Sequence, residues 1–368
     1  MKGYKGFYPG LICEPDSEHK KQYAENTVYE EDKAECCCSG MHFCKYPLNV
    51  FSYYPPATGR GVSEYAEVEA LDKPVTDDEE KYCSKKLKIG AKIGIPALVQ
   101  ASVEYIKENI KKTKIETNTG DCSAAMNTGD HSAATNTGDY SAAMNTGYRS
   151  AAMNVGSYSA AMNTGDCSAA TNTGHQSVAT NTGDHSAAMN TGYHSAAMNT
   201  GDRSAAMNTG DCSAATNTGH QSVATNTGDC SAATNTGHQS VATNTGDHSA
   251  AMNTGYHSAA MNVGSYSAAT NTGNYSAATN TGHQSVATNA GNYSAASVEG
   301  KDSIAFAFGV KSKAKGALGC YIVLAEWTAE DDELDRQLKT VKCHKVDGKT
   351  VKPDTWYMLK NGKFTEVK

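Results

Sequence analysis

Cys36, Cys37, Cys38, His42 and Cys44 fall within nine residues, and thiolates beside an imidazole are ligands suited to zinc. A structural zinc site usually closes its tetrahedron with two well-separated ligand pairs. Cys36, Cys38, His42 and Cys44 do not supply that spacing, so reduced thiols in a small core, with no metal, are the plainer reading. A second set lies in mid-chain, where histidine follows a repeated glycine by one residue (His175, His220, His238, His283) or by two (His131, His185, His194, His248, His257). Ladders of Asp and His could chelate cations along a ridge. The calcium-binding nonapeptide turn, Gly-Gly-x-Gly-x-Asp, is absent, which favours exposed, variable turn residues.

The element that positions this second set is a repeat. Glycine occurs at every ninth position from Gly120 through Gly309, within units that read Asn-Thr-Gly, two variable residues, Ser, Ala or Val, Ala, then Met or Thr. A fixed short period marks a solenoid, whose units bury an inner face only by stacking. Ser-Ala-Ala-Met is too short for a helix, so each unit is a short strand followed by a turn, with Gly120, Gly129 and Gly138 supplying left-handed backbone. Two units per coil give a flattened roll of two parallel sheets, and three give a three-sided prism. The segment Asp166 to Asn199 recurs unchanged as Asp229 to Asn262, seven units on. In a two-unit coil that odd displacement moves each unit to the opposite sheet, so both sheets must accept the same residues.

Strand parity sorts the side chains. Apolarity alone would bury Met126, but the last unit holds register as Ser312-Lys-Ala-Lys315, and two lysines cannot enter a thin dry core. Ser123, Ala125 and Asn127, then Ser132, Ala134 and Asn136, are therefore expected inside, with backbone ladders and stacked Asn side chains holding the roll. Met126, Thr135, Thr137 and Met144 are expected outside. The 22 glycines then imply about 11 coils and a rod of roughly 50 Å.

The flanks are conventional. Asn49 to Tyr54 and Glu64 to Glu69 read as strands between Pro and Gly breaks. A helix from Ile95, with Pro96 in its first turn and a stripe of Val99, Val103, Ile106 and Ile110, is expected to cover the open end of the roll. Ile304, Phe306 and Phe308 call for an apolar cover at the far end. Beyond them an apolar strand from Gly319 to Trp327 and hairpin signals at Asp347-Gly348 and Asn361-Gly362 predict a meander. The sequence thus predicts an all-β solenoid, a parallel two-sheet β-roll with two nine-residue units per coil. It carries a small α+β N-terminal cap domain (1–94), a capping helix and link (95–116), the array (117–316) and an antiparallel β C-terminal cap (317–368).

The chain has 368 residues and a net charge of -7, concentrated in the aspartates of the array, which disfavours nucleic acid as a partner. No apolar run is long enough to span a membrane and no signal peptide is evident at Met1. Twelve cysteines without a disulfide framework fit a reducing compartment, so a bacterial cytoplasm or a phage particle is expected. Cys212 and Cys230 should be stacked neighbours one coil apart. Nothing in the motifs asks for a cofactor.

Three resemblances accompany these readings. The array resembles the head repeats of trimeric autotransporter adhesins, whose G-x-x-S-x-A-x-G pattern is matched best by Gly300-Lys-Asp-Ser-Ile-Ala and by Gly309 to Gly316. It lacks that family's period, signal peptide, stalk and anchor. The flanks resemble phage and gut-bacterial proteins of unknown function that carry a stretch like Gly40-Met-His-Phe-Cys44 and end in one like Asp354-Thr-Trp-Tyr357. Gly40-Met-His-Phe43 with Tyr53 and Tyr54 is similar to a segment of poly(ADP-ribose) polymerase-type transferases, which implies NAD chemistry at His42, Tyr53 and Tyr54. The family's upstream His-Gly pair is missing. The expected role is a non-enzymatic spacer or display surface for a protein or surface partner, with rods able to pair side by side. The alternatives are an ADP-ribosyltransferase-like N-terminal domain on a solenoid scaffold, and an ice-binding solenoid presenting its Thr ranks.

Overall fold

The computed structural model describes residues 1–14, 20–35, 39–58, 60–77, 80–109, 115–328 and 336–367. Within the array each short strand pairs in parallel with the strand two units on, Ala124 opposite Ala142 and Ala133 opposite Ala151. Because the nearest neighbour is the second unit along and not the third, the coil is two-sided. Alternate units fall in a 14-stranded and a 13-stranded sheet, giving a parallel solenoid of about 12 turns. The extra turn comes from two strands outside the glycine series, Ile115–Asn118 at the start and Tyr321–Trp327 at the end. The latter continues its sheet in parallel, so the array runs past the boundary expected at residue 316.

The interior is a polar zipper around a thread of alanine. Ala134, Ala143 and their successors are fully enclosed. The Ser204 N–H donates to Ser222 Oγ at 3.0 Å, and that hydroxyl donates to the His220 carbonyl at 2.8 Å. Asn217 spends both ends of its amide: Nδ2 donates to Ser204 O at 3.1 Å and to Val223 O at 3.2 Å, while Oδ1 accepts the Gly219 N–H at 2.9 Å. The asparagines, which follow one another in register from coil to coil, therefore direct their hydrogen bonds to backbone. Buried polar atoms satisfied in this way replace the apolar area that the small side chains cannot supply.

The turn glycines do a different job from the one expected. Gly120, Gly129 and Gly138 have no left-handed φ; the residue two positions later does, as at Cys122 (55°), His131 (53°) and Tyr140 (54°). Glycine is required because successive turns stack at this corner, and a Cβ on Gly138 would land on the Gly120 carbonyl.

The N-terminal part folds as a seven-stranded antiparallel sheet. Its strands run in the order Thr27–Glu30, Lys86–Ile93, Glu64–Ala70, Lys2–Phe7, Met41–Cys44, Lys81–Ser84 and Val75–Thr76. The stretch expected as a strand near Asn49 is a 3-10 helix, Pro47–Ser52. Pro47 starts it, and the tight turn sends Leu48, Val50 and Phe51 into one core, where a strand would have split Val50 from Phe51.

Helix α1 (Ile95–Asn109) follows, but it does not cover the end of the roll. Leu98, Val99, Val103 and Ile106 pack with Leu48 and Phe51 against Ala169, Ala187, Met189, Ala205, Met207 and Val223; Ile110 lies outside the described residues. The domain thus lies along the side of the rod. A roll end of small side chains and strand edges offers an apolar stripe little to bury against, whereas the flat rank of Ala, Met and Val does. Tyr46 Oη donates to His185 O at 2.8 Å, Ser52 Oγ lies 3.1 Å from His185 Nε2, and the Ala57 N–H donates to Gln239 O at 3.2 Å.

The far end is closed by antiparallel strands. Leu338–Lys345 pairs with Tyr321–Trp327, and the hairpin of Tyr357–Lys360 with Lys363–Glu366 extends the other sheet. Its turn is Asn361-Gly362, both left-handed. Asp347-Gly348 closes no hairpin: Asp347 Oδ1 accepts the N–H groups of Lys349, Thr350 and Val351 and so shapes the crossing between sheets. Ile322, Leu324, Val346 and Tyr357 fill the plug. Phe306 stacks on Phe308, which meets Trp327 edge-on, while Ile304 stays 39% exposed.

Candidate functional site

Two places on the molecule are built to meet something: a cleft in the N-terminal domain and the bare face of the solenoid. The cleft exists because the sheet splits. Strands Lys2–Phe7 and Met41–Cys44 are joined at a single position, Tyr4 opposite Cys44, and then diverge. The opening has a volume of about 980 Å³, with Tyr4, Lys5 and Gly6 on one side and His42, Phe43 and Cys44 on the other. Tyr8, Tyr23, Tyr53 and Tyr54 complete the wall.

Charge in the cleft is mostly positive. Lys21 pairs with Glu31 at 2.6 Å, and Glu14 receives both Nη atoms of Arg60, at 2.5 and 3.2 Å. Lys5 and Lys20 add further charge, and the Lys81 ammonium sits 5.1 Å from the centre of the Tyr53 ring. Burial, followed by the charges of Lys5 and Lys81, pulls His42 down to about 4. Burial likewise lowers His185 at the junction between domain and rod, and it drives the Tyr54 phenol well above its ordinary range.

A pH dependence follows. Between the ordinary histidine value of 6.5 and these lowered values the unfolded chain binds more protons than the folded one. Stability is therefore complete above that window and is lost as pH falls through it. The urea midpoint should drop on acidification through that window, and His42→Gln should flatten part of the slope; a midpoint that rose with acid would contradict this.

Of the residues singled out in the sequence, His42, Tyr53 and Tyr54 are brought to one cleft. Cys44 shares it with His42 from the same strand, whereas Cys36 and Cys38 lie outside the described residues. Among the described residues no group of three or more His, Cys, Asp or Glu is arranged to hold a metal ion. Sequence reasoning missed Lys5, Tyr4, Tyr8 and Tyr23. The only signal was the run Lys2-Gly-Tyr-Lys-Gly-Phe-Tyr8, in which small and aromatic residues alternate around a lysine.

On the rod, Ala125, Ser132, Ala134 and Asn136 are enclosed, Ser123 and Asn127 in the first coil are partly so, and Met126 and Thr137 are exposed. Thr135 and Met144 are half-buried. The residue after each glycine is less free than a variable turn position suggests. Asp202 Oδ1 accepts the His220 N–H at 2.8 Å, and His238 Nδ1 accepts the Tyr256 N–H at 2.9 Å, so side-chain acceptors here lash one coil to the next. The following, left-handed residue carries stacked rings such as Tyr140 on Tyr158, at 4.9 Å and 5°. Cys212 and Cys230 sit one coil apart as free, exposed thiols, and desolvation with the Cys212 neighbour raises Cys230.

From Ala124 to Thr288 the two broad faces carry the same residue types, but they differ in what covers them. Under the N-terminal domain Met189 and Met207 are 7% and 6% exposed, while Met198 and Met252 on the opposite sheet are 40% and 41% exposed.

Residues 1–101 match the model of a Domain of unknown function (DUF7666). That span takes in the whole split sheet and the first half of α1. No curated protein and no solved structure matches the chain significantly.

Proposed function

We propose that this chain is a non-enzymatic scaffold whose uncovered solenoid face pairs with the same face of a second copy, holding two N-terminal domains outward on a stiff double rod. The observation that carries this is the contrast between the faces. Residues of the same types that the chain buries on one sheet, by seating its own helix there, stand open on the other.

From Ala124 to Thr288 the outward strand positions of the bare sheet hold only Ala, Met, Val and Thr, so two copies meet without opposing charges. Val286, Ile304 and Tyr321, each about two-fifths exposed, extend the surface onto the plug. About 12 turns at ~4.8 Å, across four residues of ~3.4 Å, give roughly 800 Å² per partner and ~1,600 Å² in all, within the range of stable protein pairs. The N-terminal domain sits on the opposite face and leaves the approach clear.

Sedimentation of the full chain should show a dimer at micromolar concentration, and Met198→Glu combined with Met252→Glu should make it monomeric without changing its circular dichroism. A wild-type monomer at hundreds of micromolar, or a dimer indifferent to both substitutions, would defeat the proposal. A second reading, transfer of ADP-ribose from NAD, is favoured by one observation: His42, Tyr53 and Tyr54 share one cleft. Release of nicotinamide by the full chain, lost in His42→Gln, would establish that reading over the first.

A further inference from the structure

We infer that the split-sheet cleft of the N-terminal domain binds a small organic anion carrying a flat ring, with its negative group at Lys5 and its ring among the tyrosines. Lys5 lies in the middle of a strand and is only 7% exposed. Its ammonium donates to His42 O at 2.7 Å. It stands 5.6 Å from the ring centres of both Phe7 and Tyr23. No carboxylate among the described residues pairs with it; the glutamates of the cleft are already engaged, Glu31 by Lys21 and Glu14 by Arg60.

A desolvated ammonium with no counter-ion is costly, and such groups are ordinarily paired. Lys5 lines the cleft, and since no described carboxylate pairs with it, an anionic guest would meet its charge there. The carbonyl it touches lies where the strands separate. Beyond Tyr4 opposite Cys44 no further pair forms, so the same split that opens the cleft brings the ammonium to its edge. The ring preference rests on the walls. Tyr53 is 44% exposed beneath the Lys81 ammonium, and Arg60 lies 4.6 Å from the centre of the Tyr8 ring. Rings flanked by cations suit a flat, negatively charged guest, since face contact and charge are satisfied together. Phosphate and carboxylate share this chemistry.

The full chain would be titrated with phenyl phosphate, benzoate, inorganic phosphate and phenol at constant ionic strength, following tyrosine fluorescence and the melting midpoint. Phenyl phosphate or benzoate should bind more tightly than inorganic phosphate and phenol, and whichever of the two binds better identifies the anionic group. Lys5→Met should weaken that binding about tenfold or more, the loss of one charge-assisted hydrogen bond, while Lys5→Arg retains most of it. The melting midpoint of ligand-free Lys5→Met should stay level or rise, because a desolvated charge is removed. No binding of either ring anion by the wild-type chain would overturn the inference, as would binding undiminished in Lys5→Met. A ligand-free Lys5→Met protein that melts markedly lower would show that the lysine serves the fold instead.

Discussion

Gly219→Ala should destabilise the solenoid by about 3 kcal/mol or more, while Gly120→Ala, the same substitution at the same repeat position, should be nearly silent. At Gly219 the new methyl would occupy the place of the Gly201 carbonyl and press on the Asp202 N–H. Both are backbone, fixed by ladders above and below, so the clash cannot be relieved by rotating a side chain. At Gly120 no coil lies before it, and the nearest atom to a Cβ would be Asn118 Oδ1 at 3.9 Å. Helix propensity or chain entropy would treat the two sites alike. Chemical denaturation of both variants checks the claim, and equal losses would show that stacking at the corner is not the reason for glycine.

Asn217→Ala should rank with it, costing about 3–5 kcal/mol. The side chain is fully buried and makes three hydrogen bonds to the backbone of Ser204, Gly219 and Val223. Truncation strands the Gly219 N–H, at about 1–3 kcal/mol for an unsatisfied buried group, and takes one donor each from the carbonyls of Ser204, which keeps the Val223 N–H, and Val223, at about 0.5–1.5 kcal/mol per lost hydrogen bond. Asn217→Asp keeps the acceptor for Gly219 but loses both donors and sets a charge against two carbonyl oxygens, so it should be no better than alanine. Thr216→Ala, next along the strand and facing out, serves as the control. Loss confined to position 217 in hydrogen exchange or denaturation would support the zipper, whereas an Asn217→Ala midpoint equal to that of Thr216→Ala would refute it.

Much of this architecture was legible because the repeat over-determines it. The nine-residue period and the duplicated Asp166 and Asp229 segments led to a two-unit coil with interchangeable sheets. What misled was the habit of assigning left-handed backbone to glycine. Here Gln221 and its equivalents carry it, and the glycine answers to a neighbour one whole coil away along the chain, a separation no local propensity reports. The place of α1 was hidden for a similar reason. Its stripe announces that it must be buried, but choosing between the end and the side of the rod needs the area each offers. The cleft was half visible: His42, Tyr53 and Tyr54 drew attention by type, whereas Lys5 looks like an ordinary surface residue until its strand is seen to part from Met41–Cys44.

Pairing of each strand with the second one along, as Val223 with Val241, gives the molecule a quantised length. Loss or gain of two units between the seat of α1 and the plug would shorten or lengthen the rod by one step, leaving both ends as they were. A change of one unit would instead hand every downstream strand to the opposite sheet, turning the plug half a revolution relative to the N-terminal domain. Unequal recombination among the near-identical units can therefore do two different things, set reach or reverse aspect, according to whether the number exchanged is even or odd.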